Sequence, residues 1–189
     1  MDQIICITGL PGSGKSLSAE IFKKNGFRVI EMSSAVKHLM AEQKIKIDNK
    51  SLRNFSTELR RKYGKEIVAK LVSKKISASA ARKARKILIN GVRSLQEIKY
   101  FRKIFPHMIV IAITSPEQTR YKRIAKRSRP DDMQSFKEFM WREKKEISWG
   151  LKSAIGNADV IISNSSTKQA LRTSIKKFIL SLDSMLKST

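Results

Sequence analysis

The sequence is poor in the residues that build disulfides and metal clusters. Among its 189 residues there is one cysteine, Cys6, and there are two histidines, His38 and His107. A single cysteine excludes an intrachain disulfide and any zinc site built on two or more cysteines. Two separate histidines are too few to indicate a metal cluster.

Long apolar segments are also missing. The longest apolar runs, such as MIVIAI at 108–113, have the length of a strand and not of a membrane span. Asp2 stands where a secretory signal peptide carries basic residues, and the first apolar run stops at a glycine-rich loop. Apolar residues make up 41% of the chain, which is typical of a globular protein with a proper core. We therefore expect one globular, cytoplasmic domain.

Acidic residues are scarce relative to basic ones. The 16 aspartates and glutamates are outnumbered by 40 lysines and arginines, so the formal net charge is +24. Charge of this size affects association and solubility more than fold. It suits nucleic acid, an anionic substrate or an anionic membrane surface, but a generally basic, solvated surface explains it equally well.

The sequence does contain short apolar strands that alternate with helices. Strands are predicted for QIICIT, FRVIEM, KILIN, HMIVIAIT and ADVIIS, which begin at residues 3, 27, 86, 107 and 158. Helices are predicted between them, with Ser33 and Ser115 as N-caps and a long helical region from about 49 to 81 that breaks near Gly64. This alternation predicts an α/β fold, in which helices cover both faces of a five-stranded parallel sheet.

The segment GLPGSGKS at 9–16 lies between the first strand and the first helix. It matches G-x-x-x-x-G-K-[ST] in the context that this motif requires. Backbone N–H groups of residues 12–16 can surround a phosphate, Lys15 can reach the β- and γ-phosphates, and the Ser16 hydroxyl can bind Mg²⁺. The predicted triphosphate site comprises Gly9, Leu10, Pro11, Gly12, Ser13, Gly14, Lys15, Ser16 and Leu17.

Further arginines follow the later strands. Arg93 comes directly after the third strand, at the sheet edge where ligands of such folds bind, and can hold a phosphate bidentately. Arg123 and Arg127 lie four residues apart on one predicted helix, and Arg142 follows the polar loop SRPDDM. Such arginines can close over transferring phosphates and exclude water. A helix-entry turn and a solvated basic helix are the alternative interpretations.

Together these segments resemble the nucleoside monophosphate kinase superfamily, which includes adenylate kinase and dephospho-coenzyme A kinase. More closely, the chain is similar to an archaeal family of P-loop kinase-like proteins. The matching segments are GLPGSGKS, ELRRKYGKEIVAK, NGVRSLQEI, RSRPDD, REKKEISWG and NADVIISN. The resemblance implies a P-loop NTPase fold in one domain of residues 1–189, with an acceptor-binding region at about 33–80 and a lid at about 127–145.

The resemblance also implies residue roles. Arg123 and Arg127 resemble the lid-base arginines that contact donor phosphates or stack on the base, and Arg93 resembles the arginine that binds the acceptor phosphate. Our hypothesis for catalysis names Lys15, Arg93, Arg127 and Arg142. The hypothetical acceptor site comprises Ser34, Lys37, Arg60 and Arg93.

Two positions depart from the family pattern. Relatives carry an aspartate that orients Mg²⁺-bound water where this chain has Asn90, which gives the metal no countercharge. Relatives carry Gly-Asp and then arginine at the start of the second helix, where this chain has Ser33, Ser34 and then Lys37. Lysine lacks the bidentate fork of arginine. Both changes concern the metal and the acceptor, and neither touches the triphosphate loop.

Three functions follow from this pattern. The leading hypothesis is a kinase that moves the γ-phosphoryl group of ATP, with GTP not excluded, to a nucleotide or nucleotide-like phosphorylated molecule in the presence of Mg²⁺. The alternative is an RNA- or ribosome-associated ATPase or nucleotide switch, motivated by the charge of +24. The third is a nucleotide-binding structural protein without turnover. The sequence names neither the acceptor nor the oligomeric state.

Overall fold

The computed structural model describes residues 3–78, 86–127 and 135–187. These residues contain five strands: β1 (Gln3–Thr8), β2 (Arg28–Glu31), β3 (Lys86–Val92), β4 (Ile109–Thr114) and β5 (Val160–Ser163). The strands form one sheet in the order β2-β3-β1-β4-β5, and neighbouring strands pair in parallel. The predicted α/β fold with a five-stranded parallel sheet is confirmed.

The helices of the described residues alternate with the strands as expected. They are α1 (Lys15–Lys24), α2 (Met32–Glu42), α3 (Asn49–Tyr63), α4 (Ile67–Ala78), α5 (Leu95–Ile104), α6 (Glu117–Arg127), α7 (Phe136–Ser148), α8 (Leu151–Gly156) and α9 (Lys168–Lys187). The helical region predicted from about 49 to 81 is α3 and α4, which separate at Gly64. The predicted loop SRPDDM and residues 79–81 lie outside the described residues.

Two helix starts differ from the prediction. Helix α2 begins at Met32, so Ser33 is inside the helix and Glu31 is its N-cap. The physical reason is that the Met32 side chain is buried in the core, which places the first turn two residues earlier. Helix α6 begins at Glu117, and the Ser115 hydroxyl accepts a hydrogen bond from Arg123 at 3.1 Å.

The core lies on both faces of the sheet, which explains why the strands read as continuous apolar runs. On one face, Cys6 and Ile89 pack with residues of α2, α4, α5 and α8. On the other face, Ile7 and Ile111 pack with residues of α1 and α9. Burial raises the pKa of the Cys6 thiol, so this cysteine is a core residue and not a nucleophile.

The parallel topology fixes where a site can form. Because all strands run in the same direction, the segments that follow β1, β2, β3 and β4 meet at the carboxyl edge of the sheet. The glycine-rich loop, Glu31, Arg93 and Ser115 all lie at this edge. Within the described parts of the chain, no helix has the length and apolarity needed to cross a membrane.

Candidate functional site

A cavity of about 690 Å³ opens at the carboxyl edge of the sheet. Its walls come from the loop after β1, the ends of β2 and β3, and helices α6, α7 and α9. Its described cationic lining residues are Lys15, Arg93, Arg123, Lys126, Arg127, Arg142, Lys168 and Arg172, and its carboxylates are Glu20, Glu31 and Glu146. This volume is typical of a small-molecule site, and the excess of cations favours a polyanionic ligand.

The loop between β1 and α1 needs glycine for both conformation and space. Gly12 and Gly14 have φ angles of 78° and 113°, in the left-handed region. A Cβ on Gly12 would lie 2.6 Å from the backbone oxygen of Arg120, and one on Gly14 would lie 2.4 Å from Nδ2 of Asn164. The loop is therefore packed against α6 and the segment after β5, while Lys15, Ser16 and Leu17 in the first turn of α1 line the cavity.

Gly14→Ala should destabilise the protein by more than about 2 kcal/mol, because a left-handed backbone and a steric clash coincide there. Gly26→Ala is the matched control, since Gly26 has φ 84° and nothing within 4 Å of an added Cβ. We expect this control to cost about 1 kcal/mol. Urea unfolding of both variants measures the difference. Equal losses would show that the loop has room for a side chain and would contradict the packing described.

Lys15 is the first residue of α1, and its ammonium reaches back to the loop before it. Its Nζ donates hydrogen bonds to the carbonyl oxygens of Gly9 at 2.6 Å and Leu10 at 2.9 Å. Burial lowers the pKa of Lys15 to about 7, an effect that nearby arginines increase and the Glu146 carboxylate opposes. The ammonium of Lys15 is thus hydrogen-bonded to the preceding loop. Because its pKa is about 7, it loses its proton near neutral pH.

Glu146 joins two of the predicted arginines. Its carboxylate lies 3.4 Å from Nε of Arg93 and 3.1 Å from Nε of Arg142, and its side chain is only 4% exposed. Burial alone would raise the pKa of Glu146, but Arg93, Arg142 and Lys15 hold it at about 2. Glu146 is therefore ionised and orients both guanidinium groups. We did not single it out in the sequence, although the spacing Arg142–Glu146 on one helix is a signal for such a pair.

Arg120 is a second residue that the sequence analysis missed. Its guanidinium donates to the carbonyl oxygen of Pro11 at 3.2 Å and to that of Ser115 at 3.0 Å, and it pairs with the buried carboxylate of Glu143. The side chain is 3% exposed. Arg120 therefore stabilises the loop and does not line the cavity, whereas Arg123 and Arg127 do.

The Glu31 carboxylate lies beside Asn90 at the end of the sheet. Strands β2 and β3 pair Glu31 with Asn90, and Nδ2 of Asn90 donates to Oε1 of Glu31 at 2.8 Å. Both residues line the large cavity together with Ser16. Oδ1 of Asn90 is buried and has no hydrogen-bond partner among the described residues. Hydroxyl, amide and carboxylate oxygens of this kind fit the hard Mg²⁺ ion, with phosphates and water completing its shell.

The described residues contain no cluster of three or more histidine, cysteine, aspartate or glutamate side chains that could hold a metal by themselves. A magnesium ion at this edge would consequently depend on the nucleotide for part of its coordination. That dependence is the ordinary pattern for Mg²⁺ in phosphoryl-transfer sites.

A second cavity of about 130 Å³ adjoins the first. The two share Ser33, Arg93, Arg142 and Glu146 in their walls. Helices α2 and α3 and Trp149 form the far side of the small cavity. The predicted acceptor region therefore contains a recess that adjoins the large cavity.

The structure brings most of the predicted site residues together. The predicted residues that line the large cavity are Pro11, Gly12, Gly14, Lys15, Ser16, Leu17, Arg93, Arg123, Arg127 and Arg142. Gly9 and Leu10 instead contribute carbonyl oxygens to Lys15, and the carbonyl oxygen of Ser13 accepts a hydrogen bond from Asn164 at 2.7 Å. The roles of all these residues remain predictions.

The predicted acceptor residues divide between the small cavity and the protein surface. Lys37, Arg60 and Arg93 line the small cavity. Ser34 is absent from both cavity walls and donates its hydroxyl to the carbonyl oxygen of Glu31 at 2.7 Å, while Ser33 lines both cavities. Arg61, the neighbour of Arg60 on α3, is exposed and pairs with Glu58.

Comparison with known proteins identifies the family to which this chain belongs. The family model for the AAA domain matches residues 5–147, which include the loop and the arginines from Arg93 to Arg142. A UPF0200 protein of Pyrococcus abyssi is 36% identical over 178 residues, covering 93% of this chain and 95% of the relative. The chain belongs to the AAA domain family and to the UPF0200 family. A further UPF0200 relative, from Thermoplasma volcanium, is 34% identical and covers 85% of the chain and 87% of its own length.

Solved structures share the fold of this UPF0200 family member. TT1252 from Thermus thermophilus has a TM-score of 0.69 at 19% identity, with 96% of this chain and 98% of that chain covered. Dephospho-CoA kinase from Campylobacter jejuni has a TM-score of 0.60 at 17% identity, with coverages of 96% and 98%. Shikimate kinase from Aquifex aeolicus has a TM-score of 0.52 at 13% identity, with coverages of 99% and 100%. The resemblance to archaeal P-loop kinase-like proteins, and the P-loop kinase fold, are confirmed.

Proposed function

We propose that this chain is a nucleoside triphosphate-dependent phosphotransferase that moves the γ-phosphoryl group to a small anionic acceptor. The observation that carries this proposal is the pair of adjoining cavities with Arg93, Arg142 and Glu146 in their common wall. In this proposal the large cavity would hold the donor against the glycine-rich loop, and the small cavity beside it would hold the acceptor. The kinase fold of its structural neighbours supports the same reading.

The donor half of the reaction follows from the loop. The N–H groups at the start of α1 would hold the β- and γ-phosphates, and the Lys15 ammonium would move from the carbonyls of Gly9 and Leu10 to phosphate oxygens. Ser16, Glu31 and Asn90 are the residues that would hold Mg²⁺, which supplies neutralisation of phosphate charge when bound.

The transfer step needs positioning and charge neutralisation more than covalent chemistry. An acceptor oxygen forms a bond to the γ-phosphorus while the bond from that phosphorus to the β–γ bridging oxygen breaks, and the electron pair leaves with the nucleoside diphosphate. Arg93 and Arg142, oriented by Glu146, would stabilise the charge that spreads over the transferring group. The predicted lid at about 127–145, of which Arg127 and residues 135–145 are described, would exclude water.

The test of the proposal is nucleoside diphosphate formation from MgATP and from MgGTP, with protein alone and with a panel of small phosphorylated and carboxylated acceptors. We expect one acceptor to stimulate diphosphate formation and to yield a phosphorylated product in equal amount. Tight MgATP binding without product from any acceptor would instead favour a nucleotide-binding structural protein.

Glu31→Gln is expected to raise the Mg²⁺ concentration needed for half-maximal activity and to lower kcat at least about tenfold. The reason is that this substitution removes the carboxylate that lies beside Asn90 at the cavity edge. Glu42→Gln, at an exposed position on α2, is the control and should leave both quantities unchanged. An unchanged magnesium requirement in Glu31→Gln would remove Glu31 from the proposed metal site.

The RNA- or ribosome-associated switch remains a prediction from the net charge of +24. It requires that structured RNA stimulate ATP hydrolysis at low salt and that added salt weaken the effect steeply. Stimulation by a small acceptor alone would favour the kinase.

A further inference from the structure

Trp149 is a buried side chain directly after α7, and two arginines lie over its ring. The guanidinium carbon of Arg60 lies 4.6 Å from the centre of the ring, and that of Arg93 lies 5.6 Å from it. The indole N–H donates a hydrogen bond to the Thr57 hydroxyl at 3.1 Å, which fixes the orientation of the ring. Two cations thus share one aromatic side chain whose own position is set by α3.

Arg60 is held in place by its other contacts. Its side chain is only 4% exposed, and its two terminal nitrogens donate to the carbonyl oxygen of Ser56 at 3.1 Å and to Oε1 of Glu97 at 2.8 Å. Oε2 of Glu97 accepts a hydrogen bond from the backbone N–H of Arg93 at 2.7 Å. Glu97 is itself buried, so one carboxylate joins the Arg60 side chain to the backbone of Arg93.

Arg93 is the less buried of the two arginines, with 23% of its side chain exposed, and it lines both cavities. Its Nε lies 3.4 Å from Oε2 of Glu146. The turn after α7 packs against the residue that follows Arg93, since a Cβ on Gly150 would lie 3.5 Å from Cβ of Ser94. The segments NGVRSLQEI and REKKEISWG, which are distant in the sequence, therefore meet at Arg93.

The two guanidinium groups repel each other. Burial lowers the pKa of Arg60, the Glu97 carboxylate opposes this effect, and the charge of Arg93 adds to it. The face of an indole ring carries a negative potential and attracts a cation within about 6 Å. The Trp149 ring therefore attracts both groups, and without it the Arg93 guanidinium is expected to move away from Arg60.

We propose that Trp149 is a positioning residue for phosphoryl transfer, whose ring holds the Arg93 guanidinium at the wall that the two cavities share. This inference rests on the proposed function, in which Arg93 stabilises the charge that spreads over the transferring group. Arg60 and Thr57 fix the ring in this arrangement. Because the glycine-rich loop, and not Arg93, would hold the β-phosphate, loss of the ring should weaken only the binding of the transferring group.

The experiment uses beryllium fluoride, which binds next to ADP in place of the transferring phosphoryl group. MgADP is titrated into the full chain by calorimetry with and without beryllium fluoride, and the ratio of the two affinities is the fluoride gain. We expect a fluoride gain for the native chain. Trp149→Leu should reduce this gain about tenfold and leave the affinity for MgADP alone unchanged. Trp149→Phe keeps a weaker aromatic face and should reduce the gain about threefold.

Arg93→Gln tests whether Trp149 acts through Arg93. This substitution should reduce the fluoride gain by itself. Adding Trp149→Leu to Arg93→Gln should cause no further loss, because the ring then has no guanidinium group to position. Two residues that act independently would instead give losses that multiply, so the double variant measures the coupling directly.

Phe27→Leu is the matched control for the loss of a buried ring. Phe27 is buried just before β2, at the opposite edge of the sheet, and Nζ of Lys86 lies 5.6 Å from the centre of its ring. This substitution should lower the free energy of unfolding, because a buried aromatic side chain is truncated. It should leave the fluoride gain unchanged, since no cavity residue depends on this ring.

Several results would overturn the inference. If Trp149→Leu weakened MgADP binding equally with and without beryllium fluoride, or if Phe27→Leu reduced the gain as much, the ring would only stabilise the fold. Losses that multiply in the double variant would show that Trp149 does not act through Arg93. If Trp149→Leu does not fold, Trp149→Phe decides the question, since a full gain in that variant contradicts the proposal. Failure of the proposed function is distinguishable, because the native chain would then bind no MgADP or show no fluoride gain.

Discussion

Lys15→Met is expected to reduce phosphoryl transfer by at least about a thousandfold while the fold is retained. The loss follows because no other described side chain of the loop between β1 and α1 brings a positive charge to the β- and γ-phosphates. The free energy of unfolding should stay the same or rise, since a partly buried ammonium whose pKa is lowered to about 7 is replaced by an apolar side chain of similar length. Turnover is measured by diphosphate formation, and stability by urea unfolding.

Lys23→Met is the control for this experiment. Lys23 lies on the same helix, in its last turn, and is exposed, so its replacement should change neither turnover nor stability beyond about 0.5 kcal/mol. Full phosphoryl transfer by Lys15→Met would contradict the assignment of the loop as the triphosphate site. Unfolding of Lys15→Met would instead show that the bonds from Lys15 to Gly9 and Leu10 stabilise the loop more than the burial of its charge costs.

Nucleotide affinity and folding stability are expected to respond to pH in opposite directions above pH 7. A triphosphate favours the charged form of Lys15, whose pKa without ligand is about 7. Binding therefore requires no proton uptake well below pH 7, but takes up one proton above it. Affinity should consequently fall up to about tenfold for each pH unit between 7 and 9, as one pKa unit corresponds to about 1.4 kcal/mol.

The free energy of unfolding should change with the opposite sign. Lys15 has its ordinary pKa of 10.5 when the chain is unfolded and about 7 when it is folded, so the unfolded state binds more protons between these values. Stability then rises with pH across the window from 7 to 10.5, by at most about 5 kcal/mol from this group. The contribution is absent below pH 7, where both states carry the proton.

Lys15→Met isolates the effect of Lys15 from all other titrating groups. The difference in unfolding free energy between the native chain and this variant should rise between pH 7 and 10, and the pH dependence of nucleotide affinity should disappear in the variant. Calorimetry in buffers of different ionisation enthalpy measures the proton uptake directly. A constant stability difference across this range would show that Lys15 keeps its ordinary pKa in the fold.

The local elements of the fold were predictable from the sequence because each depends on nearby residues. The segments QIICIT and GLPGSGKS predicted β1 and the glycine-rich loop that leads into α1, since apolar runs and glycines act over a few residues. The predicted boundary between β2 and α2 was wrong, because burial of Met32 in the core outweighed the preference of the serines for the N-cap position.

The sequence did not predict which residues come together in the site when they are distant in the chain. Asn90 looked like a lost metal ligand until the parallel register of β2 and β3 placed Glu31 beside it. Glu146 became part of the site because α7 packs against the sheet edge that carries Arg93. The loop and the order of strands and helices were therefore determined by the sequence alone. Which groups share the site was decided by the register of the sheet and the packing of its helices. These bring charged groups that are far apart in the chain within hydrogen-bond distance.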